Sequence, residues 1–310
     1  MIISKFFAPA TTANLSAGYE IFGLALERPG DIVTAVKTDK PGVQLLSITG
    51  DDDKLPKDAD KNTATFAAKA LIKHLHYEGG IGLHLEKNLP ISSGMGSSAA
   101  SSAAAVAAVN HLLNAGLSNK QLVPFAMEGE RLACGSPHAD NVAPSLMGGL
   151  VLVRSYQPLD LISIQIPENL HYAIVSPDIL IRTSDSRAKV PEHINITDVV
   201  AQMGNSAAFI AALIQGDFEM LSRAAEDFIA EPARASLIPG FSLVKQAALQ
   251  SGAAAAGLSG SGPSMFALSD CLETAQKNAE EMAKIFTAQE IGSTTYCGVV
   301  SQQGAKLIND

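Results

Sequence analysis

The chain has 310 residues, 47% of them hydrophobic, enough for two domains with a core in each, which excludes disorder as the main state. Lys plus Arg number 22 against 31 Asp plus Glu, and the formal charge of -9 argues against nucleic acid or another polyanion held on a basic face. Aromatic residues make up only 5% and tryptophan is absent, so stacking platforms for a single strand are missing too.

The N-terminal apolar run is cut at Pro9, too early for an export signal. Asp31–Lys37 and Val43–Ile48 then read as short strands among Gly and Pro punctuation, and the charged stretch 51–60 as an exposed loop. Apolar spacing predicts a helix over Asn62–Tyr77, stopped by Gly79 and Gly80, followed by a strand over Ile81–Leu85. The stretch Ala99–Leu117 comes nearest to a membrane segment, but Ser101, Ser102, Asn110, His111 and Asn114 interrupt it; it reads as a buried helix, and no membrane is expected. A helix over Asn119–Cys134 and a strand over Gly148–Val153 complete the first half.

A soft domain boundary falls near Ser155–Leu170, dividing the chain into 1–160 and 161–310. The second half alternates strand (171–176), helices (196–215, 218–228, 243–252), strand (265–269), helix (272–286) and strand (293–300), a layered αβ pattern. Cys134, Cys271 and Cys297 are far apart with no CxxC pair, as suits a reducing, cytoplasmic compartment. His74 and His76 form an H-x-H pair without a third ligand, and helical spacing puts them on different faces, which makes zinc improbable.

The sharpest feature is the loop 89–100, LPISSGMGSSAA, which opens the longest helix. Gly94 and Gly96 permit left-handed backbone and close approach, so successive N–H groups can turn toward one anion at a helix N-terminus. Taken as bare composition, the loop is more simply an ordinary glycine-rich helix start with serine capping. It is neither a Walker loop, since no Lys follows the second Gly, nor a Rossmann fingerprint, since the third Gly is missing.

Those twelve residues resemble the ATP-phosphate signature of the GHMP kinases. Two more segments resemble the same family in the same order: Pro9–Leu26 is similar to its N-terminal substrate motif, and the stretch 257–264, GLSGSGPS, to its C-terminal glycine loop. By composition alone the latter is a linker, but its position before a strand argues for a tight turn. The resemblance implies a two-domain α+β fold, with a ribosomal-protein-like N-terminal domain and a ferredoxin-like C-terminal one. It implies ATP and Mg2+ as cofactors. Pro90, Ile91, Ser92, Ser93, Gly94, Met95, Gly96, Ser97, Ser98, Ala99 and Ala100 would hold the phosphates, with Met95 packed beneath the loop. Ser98 and Glu130 would share the magnesium, leaving Glu128 on the surface, and Asn62 is a weak candidate for the adenine pocket.

Within the family, Pro137–Gly149 is most similar to the homoserine kinases. L-homoserine carries a carboxylate, an ammonium and a primary hydroxyl, and arginine is the natural fork for the first. The resemblance puts Arg187 and Arg234 at the carboxylate, Thr183, His138, Asp140 and Gly260 in the acceptor site, Asn14 and Glu20 at the ammonium, and Asn141 at the reacting hydroxyl, with no strong base required. The chain departs from the family at Tyr19-Glu20, where Phe-Asp is common, and at Ser16, where Gly is frequent. The resemblance also agrees with a homodimer. Two other readings stay open: a GHMP kinase for another small alcohol, and a catalytically silent sensor of ATP or an amino acid.

Overall fold

A computed structural model describes residues 3–308. The first half contains strands β1 (Ile3–Asn14), β2 (Gly18–Thr38) and β3 (Gly42–Thr49), helix α1 (Thr63–His74), strand β4 (Gly80–Glu86), helices α2 (Ser97–Leu112), α3 (Asn119–Cys134) and α4 (Val142–Met147), and strands β5 (Leu150–Tyr156) and β6 (Leu159–Ile164). The second half continues with β7 (His171–Pro177), α5 (Thr183–Arg187), α6 (Ile196–Gln215), α7 (Phe218–Ala224), α8 (Ala230–Arg234), α9 (Phe241–Gln250), β8 (Ala255–Leu258), β9 (Met265–Ser269), α10 (Leu272–Thr287), β10 (Ser293–Val299) and β11 (Lys306–Leu307).

The strands form two sheets among the described residues. One runs β11-β1-β2-β4-β3, with β5 joining another part of β2 and β6 joining β5. Strand β2 is 21 residues long because it serves two neighbours: Phe22–Leu24 pair with β5 and Ile32–Thr38 with β4. The strand read over Asp31–Lys37 is therefore the end of a longer one, the strand read over Val43–Ile48 is β3, and β1 escaped notice altogether. Residues Ala8–Asn14 are all buried, so β1 lacks the polar alternation that marks a half-exposed strand. The second sheet is ordered β10-β7-β9-β8 and is antiparallel throughout. With α9 after β7 and α10 after β9, the chain makes the ferredoxin-like β-α-β-β-α-β sequence expected.

The expected division after residue 160 falls inside β6, whose pairing with β5 runs on to Ile164. The last segment also returns to the first sheet, where β11 pairs with β1 and Val300 bridges Leu26. A single sequence gives no sign of this, because a two-residue strand has no period to read. One core cluster lies between the first sheet and α1–α3, around Leu71, Leu83, Val106 and Leu122. A second joins the halves through Phe22 and Leu24 of β2, Tyr172 of β7 and Phe209 of α6. The Tyr172 hydroxyl also donates to the Arg28 carbonyl at 2.7 Å.

Helix α2 is buried on nearly every side, as its run of alanines permits, since small side chains let neighbours approach from all directions. Helix α6 is the opposite case: Ile196, Val200, Met203 and Ile214 are exposed along it. It, and not the 99–117 stretch, is the helix long and apolar enough to meet the length and composition of a membrane span.

A buried ion pair anchors the start of α2. Lys87, just past β4, meets Asp31 of β2, and both side chains are almost wholly shielded from solvent. Lys87 Nζ also donates to the Ser97 carbonyl at 2.6 Å, while Asp31 Oδ1 accepts from the backbone of Asn88 and Leu89 at 3.0 and 3.2 Å. Ser101 adds its hydroxyl to Asp31 at 2.6 Å, so every charge in the cluster is matched. Asp31→Ala leaves Lys87 buried without its counter-charge and should cost about 3–5 kcal/mol in urea unfolding. A loss within about 1 kcal/mol, the worth of a surface pair, would count against this anchor.

Candidate active site

The three loops singled out by sequence meet at one cavity of about 440 Å³. Hydrogen bonds to backbone carbonyls hold them together. Ser264 N–H donates to Ser93 O at 3.0 Å and Ser259 Oγ to Gly94 O at 2.9 Å, so the C-terminal glycine loop lies on the phosphate loop. Gly94 must be glycine here: its φ is +83° and a Cβ would stand 2.5 Å from Ser259 O. On its other side, Gly260 N–H donates to Ala13 O at 3.1 Å. The turn after β1 runs left-handed through Asn14, Leu15 and Ser16, a strained path for three residues with side chains. Gln202 and Ser206 of α6 fasten that turn by donating to Ala17 O. Ser16 has φ +62°, the conformation that glycine adopts without cost.

At the phosphate side, α2 starts at Gly96, itself left-handed, with no side-chain cap and no acid in the first turn. Its first N–H groups, Ser97 to Ala99, have no acceptor four residues back and stay available to an anion at the positive end of the helix. Ile91, Ser92, Ser93, Gly94, Gly96, Ser97 and Ser98 line the cavity. Pro90, Met95, Ala99 and Ala100 do not. Met95 and Ala100 pack in the core that joins the halves, Ala99 packs in the first core, Ala100 N–H is already bound to Gly96 O, and the Pro90 carbonyl accepts from Ser93 Oγ at 2.9 Å. Asn62 is the N-cap of α1, its amide oxygen taken by the N–H groups of Ala64 and Thr65, and it does not line the cavity.

Glu130 faces α2 from α3 and is buried, whereas Glu128 pairs with Arg131 at the surface. Ser98 lies beside the Glu130 carboxylate, whose Oε1 is buried without a partner. Burial pushes the Glu130 pKa up, against the pull of Ser98 and of the His138 and Lys87 charges. A buried carboxylate short of a counter-charge beside a serine hydroxyl fits a hard cation with oxygen ligands.

Across the cavity, Glu20 binds His138 Nδ1 and Arg187 Nη2, each at 2.7 Å. Arg187 Nη1 meets His138 Nε2, while Arg187 Nε is buried with no partner. Burial works to raise the Glu20 pKa, but the His138 hydrogen bond and charge and the Arg187 charge hold it below the usual range. For His138, burial pulls down and the Glu20 carboxylate more than offsets it, so the imidazole pKa rises. Arg234 is buried, with Nε donating to Ser186 O at 3.1 Å, Nη1 to Gly260 O at 3.2 Å, and its guanidinium 5.2 Å from the centre of the Tyr19 ring. Thr183 and Asn141 also line the space.

The N-terminal domain of the GHMP kinases matches residues 62–149, and their C-terminal domain matches residues 209–288. Homoserine kinase of Chlorobium phaeobacteroides (strain BS1) is 44% identical, covering 97% of this chain and 98% of its own. That of Xylella fastidiosa (strain M12) is 36% identical, covering 98% and 94%. The chain belongs to the homoserine kinases of the GHMP family. The crystal structure of homoserine kinase from Cytophaga hutchinsonii superposes with a TM-score of 0.96 at 50% identity, over 99% of this chain and 97% of that one. Mevalonate kinase of L. major, at 18% identity and a TM-score of 0.69, shares the fold.

Within that family, two substrate assignments from sequence change in character. The Asn14 amide lines the cavity and also fastens two loops, donating to Gly260 O at 3.0 Å and accepting from Glu20 N–H at 3.0 Å. Gly260 is likewise spoken for, its carbonyl taking Asn14 and Arg234 and its N–H bound to Ala13. Sequence reasoning passed over Lys87, which lines the cavity, although a lysine directly between an apolar strand and an anion loop is a visible signal. It also missed Tyr156, whose hydroxyl donates to Glu20 O at 2.9 Å and accepts from Ala139 N–H at 3.4 Å, bridging two loops that are distant in sequence.

Asp140 is the other buried acid. Burial, then the Glu20 charge, lift its pKa to about 7 from an ordinary 3.8. The folded state therefore holds the proton more tightly than the unfolded one, and ionising Asp140 costs stability as pH rises across that interval. The Tm of Asp140→Asn minus that of wild type should grow from pH 4 to pH 7 and level off above about pH 8. A difference that is flat with pH would show that Asp140 ionises normally.

Proposed function

We propose that the protein transfers the γ-phosphoryl group of ATP to the side-chain hydroxyl of L-homoserine, giving O-phospho-L-homoserine, ADP and a proton, a step of threonine biosynthesis. The observation that carries this reading is a single cavity with an uncapped, glycine-flanked helix start at one end and two arginines at the other. An anion-binding helix terminus suits a phosphate chain, and Arg187 and Arg234 suit a small carboxylate. Near full-length identity to homoserine kinases supports the acceptor.

Ser97 and Ser98, with Ser92 and Ser93, take the phosphates. Ser98 and Glu130 would hold magnesium, which neutralises phosphate charge and so supplies electrostatic stabilisation. Arg234, steadied on Tyr19, and Arg187 bind the substrate carboxylate. Glu20 still has lone pairs free on both oxygens for the ammonium, and His138 and Thr183 border the same acceptor space. Asn141 touches the acceptor hydroxyl. A primary alcohol needs little deprotonation before a loose phosphoryl transfer, so orientation and charge do most of the work and Asp140 helps fix the substrate. We read the protein as cytoplasmic, supported by three cysteines that are all free, and as a homodimer, supported by the exposed apolar side of α6 that a second copy would cover.

ADP release with L-homoserine should exceed that with mevalonate or galactose by orders of magnitude; equal rates would remove the acceptor assignment. Glu130→Gln should lower kcat on the order of 10²-fold or more at ordinary Mg2+, and near wild-type turnover would take Glu130 out of the metal site. Arg187→Lys keeps charge but loses the fork, so KM for homoserine rises while KM for ATP stays put; the reverse pattern would move Arg187 to the nucleotide. Met203→Glu should convert a dimer to a monomer in light scattering, and an unchanged mass would place the interface elsewhere.

A further inference from the structure

Thr11 is fully buried in β1, and nothing above gives it a role. Its hydroxyl donates to Asn141 Oδ1 at 2.7 Å, and its N–H donates to the Met95 carbonyl of the phosphate loop at 3.1 Å. Gly96 lies against both: a Cβ there would stand 2.1 Å from Thr11 Oγ1 and 3.0 Å from Asn141 Oδ1. Strand β1, the phosphate loop and the start of α4 thus touch at one point.

The direction of the Thr11 bond matters because a primary amide has an accepting edge and a donating edge. Oδ1 is turned into the protein to receive the threonine proton. Nδ2 lies 3.4 Å from Asp140 Oδ1, and once Asp140 is ionised the opposite amide orientation would set oxygen against carboxylate oxygen. Two neighbours on different segments therefore favour the same orientation, and the edge of Asn141 left for the cavity is its NH2.

We infer that Thr11 is a positioning residue that locks the Asn141 amide with Nδ2 toward the acceptor, so that Asn141 donates a hydrogen bond to the acceptor oxygen and does not receive its proton. The inference rests on the assignment of Asn141 to the acceptor in the proposed reaction. Without the lock, the amide can turn and present its oxygen, which costs alignment and not binding.

Steady-state kinetics on Thr11→Val, Thr11→Ser, Asn141→Ala and Thr11→Val/Asn141→Ala test it, with Tm checked for each. Thr11→Val should lose about 10-fold or more in kcat while KM for ATP and for homoserine stays within about threefold. Thr11→Ser, which keeps the hydroxyl, should stay near wild type. In the Asn141→Ala background Thr11→Val should cost nothing further. If Thr11→Val does not fold, Thr11→Ala replaces it in the same cycle. Full kcat in Thr11→Val beside a crippled Asn141→Ala overturns the lock and leaves the acceptor assignment standing. An equal cost in both backgrounds also overturns it, since Thr11 would then act through the phosphate loop alone. Full activity in Asn141→Ala removes the acceptor assignment and the lock with it.

Discussion

The hydrogen bonds around the glycine loop 259–264 set everything else at the site, because they pin the phosphate loop on one side and the turn after β1 on the other. Two of these bonds join main-chain groups and the third runs from the Ser259 hydroxyl to the Gly94 carbonyl, and they require bare backbone at Gly94, where a methyl group would collide with Ser259 O. The junction fixes how far the start of α2 lies from Arg234, which itself donates to Gly260 O. The helix start and the arginine are thereby held at one spacing, the condition that in-line transfer in the proposed reaction needs.

Charge is distributed in two different ways around that junction. Asp31 and Lys87 are buried and fully matched, and they hold the entrance of the phosphate loop without facing any shortage. Glu20, Arg187 and His138 form a second matched group, but a partly accessible one, with an arginine N–H left over. Glu130 and Asp140 are the unmatched acids, both with pKa values raised by burial. A protein keeps such costly groups where a bound species supplies what is missing, which is why the mismatches lie on the cavity wall and not in the core.

The longer Glu20, where an aspartate is common in the family, has a visible physical outcome. Its carboxylate reaches both His138 and Arg187 from a left-handed backbone, and Tyr156 holds its carbonyl in place. Tyr19 beside it carries the Arg234 guanidinium on its ring. Each of these adjacent residues therefore meets one of the two arginines, Glu20 meeting Arg187 through charge and Tyr19 meeting Arg234 through its aromatic face.

Much of this was legible without coordinates. Helices 119–134 and 196–215 follow from periodicity, and α2 from its alanines, because helix formation is governed by local side-chain spacing. The loop 89–100 stood out by its glycine and serine spacing before a helix, which an ordinary capped helix start also shows, so its phosphate role, like the choice of Glu130 over Glu128, came from resemblance to the family. What the sequence left open depends on contacts between distant segments. Burial of Ala8–Asn14 on both faces hid β1, and the return of β11 to the first sheet has no local pattern. Asn62 and Asn14 are both polar and both near the site, yet only packing determined that one caps α1 and the other ties loops together. The sequence by itself determined the family, through the resemblance of three motifs in order, and most of the helices, since these are written in short-range spacing. Which way the Asn141 amide is turned, and which acid oxygen goes without a partner, were decided by tertiary structure alone, because a hydrogen bond's direction and a carboxylate's burial are set by neighbours that the chain brings from far away.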